Sequence, residues 1–149
     1  LLEILVNKQV QQTTQEKQAN TSSTSQTLFN LKLLAYERII LFIERIKPDS
    51  FIPRTLSPSL PYQEYQLLLI NEIRKEFEYN LSQQLYLSEN AWEVTVNFKD
   101  NIITLINSAA TSCPPQATAS DLARKILEHY ISSDLKGDQI SKIVKAEIQ

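Results

Sequence analysis

A chain of 149 residues with a single glycine, Gly137, has few ways to reverse direction tightly. Hairpin turns draw on residues that accept positive φ, glycine first among them, so a fold built of β-hairpins is disfavoured. An all-α fold is the expectation before any periodicity is read. Apolar residues make up 42% of the chain and charged residues 21%, the balance of an ordinary globular domain. A chain this long can bury roughly 68–70% of its unfolded surface, so it needs no metal or disulfide staple. The net charge of −2 argues against a nucleic-acid groove, which shows as clustered Lys and Arg. The one cysteine, Cys113, excludes an internal disulfide and fits a reducing compartment. There is no methionine, not even at position 1, so the chain is expected to be a piece of a longer protein.

The pattern divides into four parts. LLEILVNKQV, residues 1–10, is a short apolar cluster, well under the ~20 residues that cross a bilayer. It reads either as a helical turn packed on the domain or as the trailing end of a truncated transmembrane helix. Residues 11–27, QQTTQEKQANTSSTSQT, are polar throughout except Ala19 and are expected to be a linker, with helix open to its Gln-rich first half. Residues 28–133 are expected to form an antiparallel four-helix bundle, and residues 134–149 a short C-terminal amphipathic helix. The first bundle helix spans about 28–47, with Ser25 or Thr27 as N-cap and Pro48 as its stop. The proline-rich stretch 47–61 reads as a crossover loop. The second helix runs from Pro61 to the mid-eighties. Ser88 caps a third over 89–111, with Trp92, Val96, Phe98, Ile102, Ile103, Ile106 and Ala110 on its apolar side. Thr118 and Asp121 resemble a capping box opening a fourth helix, whose stripe is Leu122, Ile126, Leu127, Tyr130 and Ile131. Gly137 ends that run. Ile140, Ile143, Val144 and Ile148 share one face of the tail.

Within the second helix the stripe changes chemistry. With Ile73 at zero and about 100° per residue, Leu69, Ile70 and Phe77 lie close to it, and so do Asn80 and Gln84. Gln83 flanks them. Burying an unpartnered amide costs roughly 1–3 kcal/mol, so these amides must be bonded or exposed. Three readings compete: an internal network, a fraying helix end, and a recognition site for a partner or small polar ligand. The network is favoured, because it would lock the register between the second and third helices.

Two blocks carry a resemblance. LLAYERIILFIERI, residues 33–46 with Pro48 after it, and IRKEFEYNLSQQLYLSENAW, residues 73–92, with the amphipathic run to Ile106, resemble an uncharacterised family of small bacterial proteins. The resemblance covers about half the chain. It implies one N-terminal transmembrane helix ahead of a helical domain, and so makes LLEILV the end of such a span. The family pattern often has His where this chain has Tyr79, which removes any role needing an imidazole there. No activity attaches to the family, so the resemblance implies topology and not chemistry.

Catalytic patterns are weak. His129 has Ile126 three residues before it, not the Glu that a di-iron bundle needs. One His and one Cys do not make up a zinc site, and Cys113 beside two prolines reads as incidental. One glycine excludes a phosphate-binding glycine loop. The chain is therefore expected to be a non-enzymatic helical interaction domain, with no cofactor, no metal and no nucleic-acid partner. Its expected surfaces are the stripe Glu37, Arg38, Glu44 and Arg45 and the tail face Ile140, Ile143, Val144 and Ile148; the tail is too short to be stable alone and is expected to dock on this bundle or on another chain. A protein partner or self-association is expected. So is attachment to the cytoplasmic face of a bacterial inner membrane through a segment ahead of Leu1, or a cytoplasmic location if that segment is not apolar. The alternative is a bundle that binds a small polar ligand, with Asn80, Gln84 and Tyr86 lining its pocket.

Overall fold

A computed structural model describes residues 2–135 and 137–148; Leu1, Lys136 and Gln149, which belong to the expected segments 1–10 and 134–149, lie outside the described residues. The described residues form six α-helices and one 3-10 segment joined by short loops, with no strand among them. They are α1 (Leu2–Ile46), α2 (Pro48–Thr55), α3 (Tyr62–Tyr79), the 3-10 segment Leu81–Tyr86, α4 (Glu89–Thr111), α5 (Ala119–Ser132) and α6 (Gly137–Ala146). Contacts divide the chain into two units, residues 1–34 and residues 35–149.

The first unit is helical throughout its described residues, all of them exposed. Residues 11–27, expected as a linker, therefore lie inside α1, and the helix expected to open at 28 opens at Leu2. No proline or glycine precedes Pro48, so nothing in the backbone interrupts the helix. Thr13, Thr14, Thr21, Thr24 and Thr27 each donate Oγ1–H to the carbonyl four residues earlier, at 2.8–2.9 Å. That bond lets a polar, β-branched run stay helical. Thr27 is thus mid-helix and caps nothing.

In the second unit α1 buries Ala35, Tyr36, Ile39, Phe42, Ile43 and Ile46, a stripe at three- and four-residue spacing. Pro48 ends α1 as expected, but it also opens α2, at the helix position where its missing N–H matters least. The stretch 47–61 is accordingly not all loop, because Phe51 and Ile52 are buried on α2. Tyr62 N–H donates to Ala117 O at 3.1 Å and Ala119 N–H to Leu60 O at 2.7 Å, which sets the starts of α3 and α5 side by side. α3 buries Tyr65, Leu69, Ile70 and Ile73. It packs on α4 and α5, α4 on α5 and α6, and α2 on α5.

The second long helix does not reach the mid-eighties. α3 stops at Tyr79, and Asn80 leaves it with φ −107° and ψ 5°. Asn80 Nδ2 donates to Glu76 O at 2.8 Å, while its backbone N–H turns to Phe77 O at 2.9 Å. A short carboxamide competes for helix carbonyls in this way, so Asn80 closes the helix rather than packing beneath it. The 3-10 segment that follows has a different pitch, which carries later residues off the α-helical wheel. Gln84 is exposed, and half-buried Gln83 donates to Ser82 Oγ at 3.3 Å. The expected amide network and register lock are thereby corrected.

Downstream the local signals hold. α4 has the expected bounds, and Ser88 Oγ accepts from Ala91 N–H at 3.0 Å. Phe98, Ile102, Ile106 and Ala110 are buried, with Trp92, Val96 and Ile103 half-buried. Thr118 and Asp121 form the capping box of α5. Leu122, Ile126 and Tyr130 are buried there, but Ile131, expected in the same stripe, is 73% exposed.

Gly137 does not end α5, which stops at Ser132; it opens α6, and no described glycine has positive φ. Its missing side chain is used for close approach. A Cβ here would collide with Cγ and Cδ of Lys47. Lys47 is itself held, so it has little freedom to move aside. Helix propensity alone favours alanine over glycine by about 1 kcal/mol. Gly137→Ala is nonetheless expected to destabilise the domain by roughly 1–3 kcal/mol through overpacking. Urea unfolding measures this, and a neutral or stabilising result would contradict the close-packing role.

Candidate functional site

The stripe on α1 splits into two kinds of residue. Glu37 and Arg38 are exposed, whereas Glu44 and Arg45 are half-buried and engaged within the chain. Arg45 donates through Nε at 3.1 Å and through a terminal nitrogen at 2.8 Å, both to Glu76 Oε1 on α3. This bond holds the guanidinium further above its ordinary pKa. Arg54 approaches the same oxygen at 3.7 Å and donates to Arg45 O at 2.9 Å, which joins α2 to the pair. Glu76 Oε2 is buried and has no hydrogen-bond partner among the described residues.

Above this pair an open groove of about 490 Å³ lies between α1 and α3. Phe42 and Leu41 line one side and Glu72, Lys75, Tyr79 and Asn80 the other, with Arg38 and Arg45 on α1. Behind the groove Phe42 meets Phe77 at 5.9 Å between ring centroids, and Phe77 stacks on Trp92 at 5.4 Å. Lys99 Nζ sits over the Phe77 ring at 4.1 Å. At the mouth Leu41 is 58% exposed and Tyr79 81% exposed. Of the three amides singled out in the sequence, Asn80 alone lines this groove; Gln83 and Gln84 do not.

The sequence reading missed Leu41, Glu72, Lys75 and Tyr79. One signal was present. On a helical wheel Leu41 falls in the middle of the arc made by Glu37, Arg38, Glu44 and Arg45, and a leucine centred in a charged arc marks an apolar spot that water would otherwise meet.

The tail face is mostly withdrawn from partners. Val144 is fully buried, and Ile140 and Ile148 pack partly buried against the core, so only Ile143, 44% exposed, keeps much contact with water. Ten residues are too few to hold a helix in water alone, and α6 is stabilised by docking on its own domain. Polar ties secure both ends. Lys47 Nζ bonds Glu44 Oε2 and Asp138 Oδ1, each at 2.7 Å, and Ser141 donates to Glu44 Oε1 at 2.8 Å. Burial works against the Lys47 charge, but the bonds to Asp138 and Glu44 outweigh it and raise the pKa. Lys47 in turn holds Glu44 and Asp138 below the usual carboxylate range. At the other end Glu147 accepts from Asn90 Nδ2 at 2.7 Å, from Ser88 Oγ, and from Tyr36 OH at 3.2 Å. Asn90 and Ser88 keep its carboxyl acidic.

Cys113 donates weakly to Ala109 O at 3.7 Å, and burial pushes its thiol pKa up, away from a reactive thiolate. His129 lines a shallow surface depression with Asn101, Ser108 and Ser132. Among the described residues no three His, Cys, Asp or Glu side chains gather as metal ligands, and no helix is long and apolar enough to cross a membrane.

These features define an all-helical domain with one core and an open groove between two of its helices. The chain belongs to a family of unknown function, DUF7935, whose model matches residues 1–149. This agrees with the resemblance to an uncharacterised family. No curated protein and no solved structure matches the chain.

The Arg45–Glu76 pair is the groove's polar floor, with side chains 42% and 18% exposed. Arg45→Ala is expected to cost about 1–2 kcal/mol, between an exposed pair and a fully buried one, because it strands Glu76. Arg38→Ala, at an exposed position, is expected to cost less than about 0.5 kcal/mol. Equal losses in urea unfolding would contradict a structural role for the pair.

Proposed function

We propose that this chain is a non-enzymatic interaction domain that docks a protein partner in the groove between α1 and α3. The observation that carries this reading is the groove's make-up: exposed Leu41 and Tyr79 beside Arg38, over a floor where Arg45 is bonded to Glu76. Tyrosine and arginine are the side chains that most often supply binding energy at protein interfaces, and an apolar centre with a charged rim is the usual anatomy. Residues 35–46 of α1 together with α3, α4 and α5 form the antiparallel four-helix framework that presents this face.

A second reading places a small polar ligand in the same groove. Asn80 favours it, since this amide lines the groove and its volume lies in the range of small-molecule sites, roughly 300–1,000 Å³. Gln84 and Tyr86, the other two residues of that alternative, do not line the groove.

We further propose that the domain works at the cytoplasmic face of a bacterial inner membrane. Two things support this: the resemblance of residues 33–106 to membrane-anchored proteins, and the exposed Leu2, Ile4, Leu5 and Val6 at the start of α1.

Site-specific photocrosslinking in cells tests the docking face. A photoreactive side chain at position 41 or 79 is expected to give discrete protein adducts. The same group at Leu67, on α3 and 62% exposed but outside the groove lining, is expected to give few. No adduct from 41 and 79, or equal yield from all three, would remove the groove as the docking face.

A further inference from the structure

We infer that the partner seated in the α1–α3 groove is a second copy of this chain, related by a two-fold axis. The inference rests on the docking reading above and adds the occupant.

The groove carries charges that no ion pair among the described residues matches. On its floor the Glu76 carboxylate is already taken, bonded by Arg45 and approached by Arg54. Arg38, Lys75 and Glu72 also line the groove, and none of them belongs to an ion pair among the described residues. Cations thus stand on both walls, Arg38 on α1 and Lys75 on α3, with the carboxylate of Glu72 on α3. A partner of one sign would satisfy one kind of charge and press like against like at the other, which costs several kcal/mol where water is excluded.

A surface carrying both signs is the complement such a groove needs, and the groove itself is one. A two-fold axis brings a patch against its own copy, so residue i meets residue j and residue j meets residue i. Arg38 of one copy then faces Glu72 of its partner, and the reverse contact is made at the same time. A guanidinium suits this position, since it can grip a carboxylate with two parallel bonds. Exposed Lys75 keeps its ammonium in water at the rim.

The apolar groups obey the same symmetry. Leu41 and Tyr79 point out of the domain, and each copy brings one of each to the centre. The crossing pairs would then ring an apolar centre, the arrangement in which a few anchors supply most of the affinity. The floor pair keeps α1 and α3 in place, so the surface is formed before association and little ordering remains to be done.

The test uses the whole chain and reads mass by sedimentation equilibrium from low to high micromolar concentration. The unaltered chain is expected to move from monomer to dimer. Arg38→Glu and Glu72→Arg, made separately, are each expected to weaken the dimer about tenfold or more, because both crossing contacts become repulsive. Mixing the two variants is expected to restore a dimer containing one of each. In that dimer the carboxylate introduced at position 38 meets the guanidinium introduced at position 72, while the unaltered Arg38 and Glu72 meet at the other contact. An ion pair within one chain would not respond to mixing, and restored assembly also shows that both variants are folded.

A chain that stays monomeric at every concentration would overturn the inference. So would variants that dimerise like the unaltered chain, or a mixture that remains monomeric. The two readings fail separately. If the chain is monomeric while positions 41 and 79 cross-link to a different protein, the second copy is excluded and the docking face stands. If those positions give no adduct at all, both fall.

Discussion

The bond between Arg45 and Glu76 ties the last turn of α1 to the last turn of α3, and the groove exists because these two helices are held there. Close by, Phe42 reaches Phe77, which stacks on Trp92 of α4. Arg54 adds α2 to the same carboxylate. Polar and aromatic contacts therefore meet at one junction, where the charged pair sets the spacing and the rings fill what lies behind it. Taking the bonded cation away from a mostly buried carboxylate is costly, so the pair is a constraint on both helices and not an ornament of the surface.

Residues 35–46 serve two faces at once. Ala35, Ile39, Phe42, Ile43 and Ile46 enter the core, while Arg38, Leu41 and Arg45 look toward the groove. Such a helix is constrained around most of its circumference. Glu44, with Lys47 just past the helix end, holds Ser141 and Asp138 and so fastens α6. The tail, which the apolar pattern offered to this bundle or to another chain, docks on its own domain.

Much of this was legible in the residues. A single glycine pointed to helices. Ser88 and the Thr118–Asp121 box marked helix starts through bonds that span only three positions, and local bonds of that kind are what a linear pattern can reveal. Other features depend on competition or on distance. Polarity alone made residues 11–27 look like a linker, although the absence of any breaker and the threonine back-bonds keep them helical. The wheel carried Asn80 and Gln84 into the core because it assumed an unbroken pitch, and the Asn80 carboxamide itself breaks that pitch. Gly137 looked like a stop, yet its purpose is set by Lys47, ninety residues earlier in the chain. The groove is a gap between helices far apart in sequence, and only Leu41, misplaced within a charged arc, hinted at it.

The most direct measurement of the central claim is hydroxyl-radical footprinting of Tyr79 and Leu67 in the same sample, dilute and concentrated. Both side chains are open to solvent in the single chain, at 81% and 62% exposure. Occupation of the groove predicts that Tyr79 loses reactivity as the chain is concentrated while Leu67 does not. Tyr79 reacting equally at every concentration would contradict it.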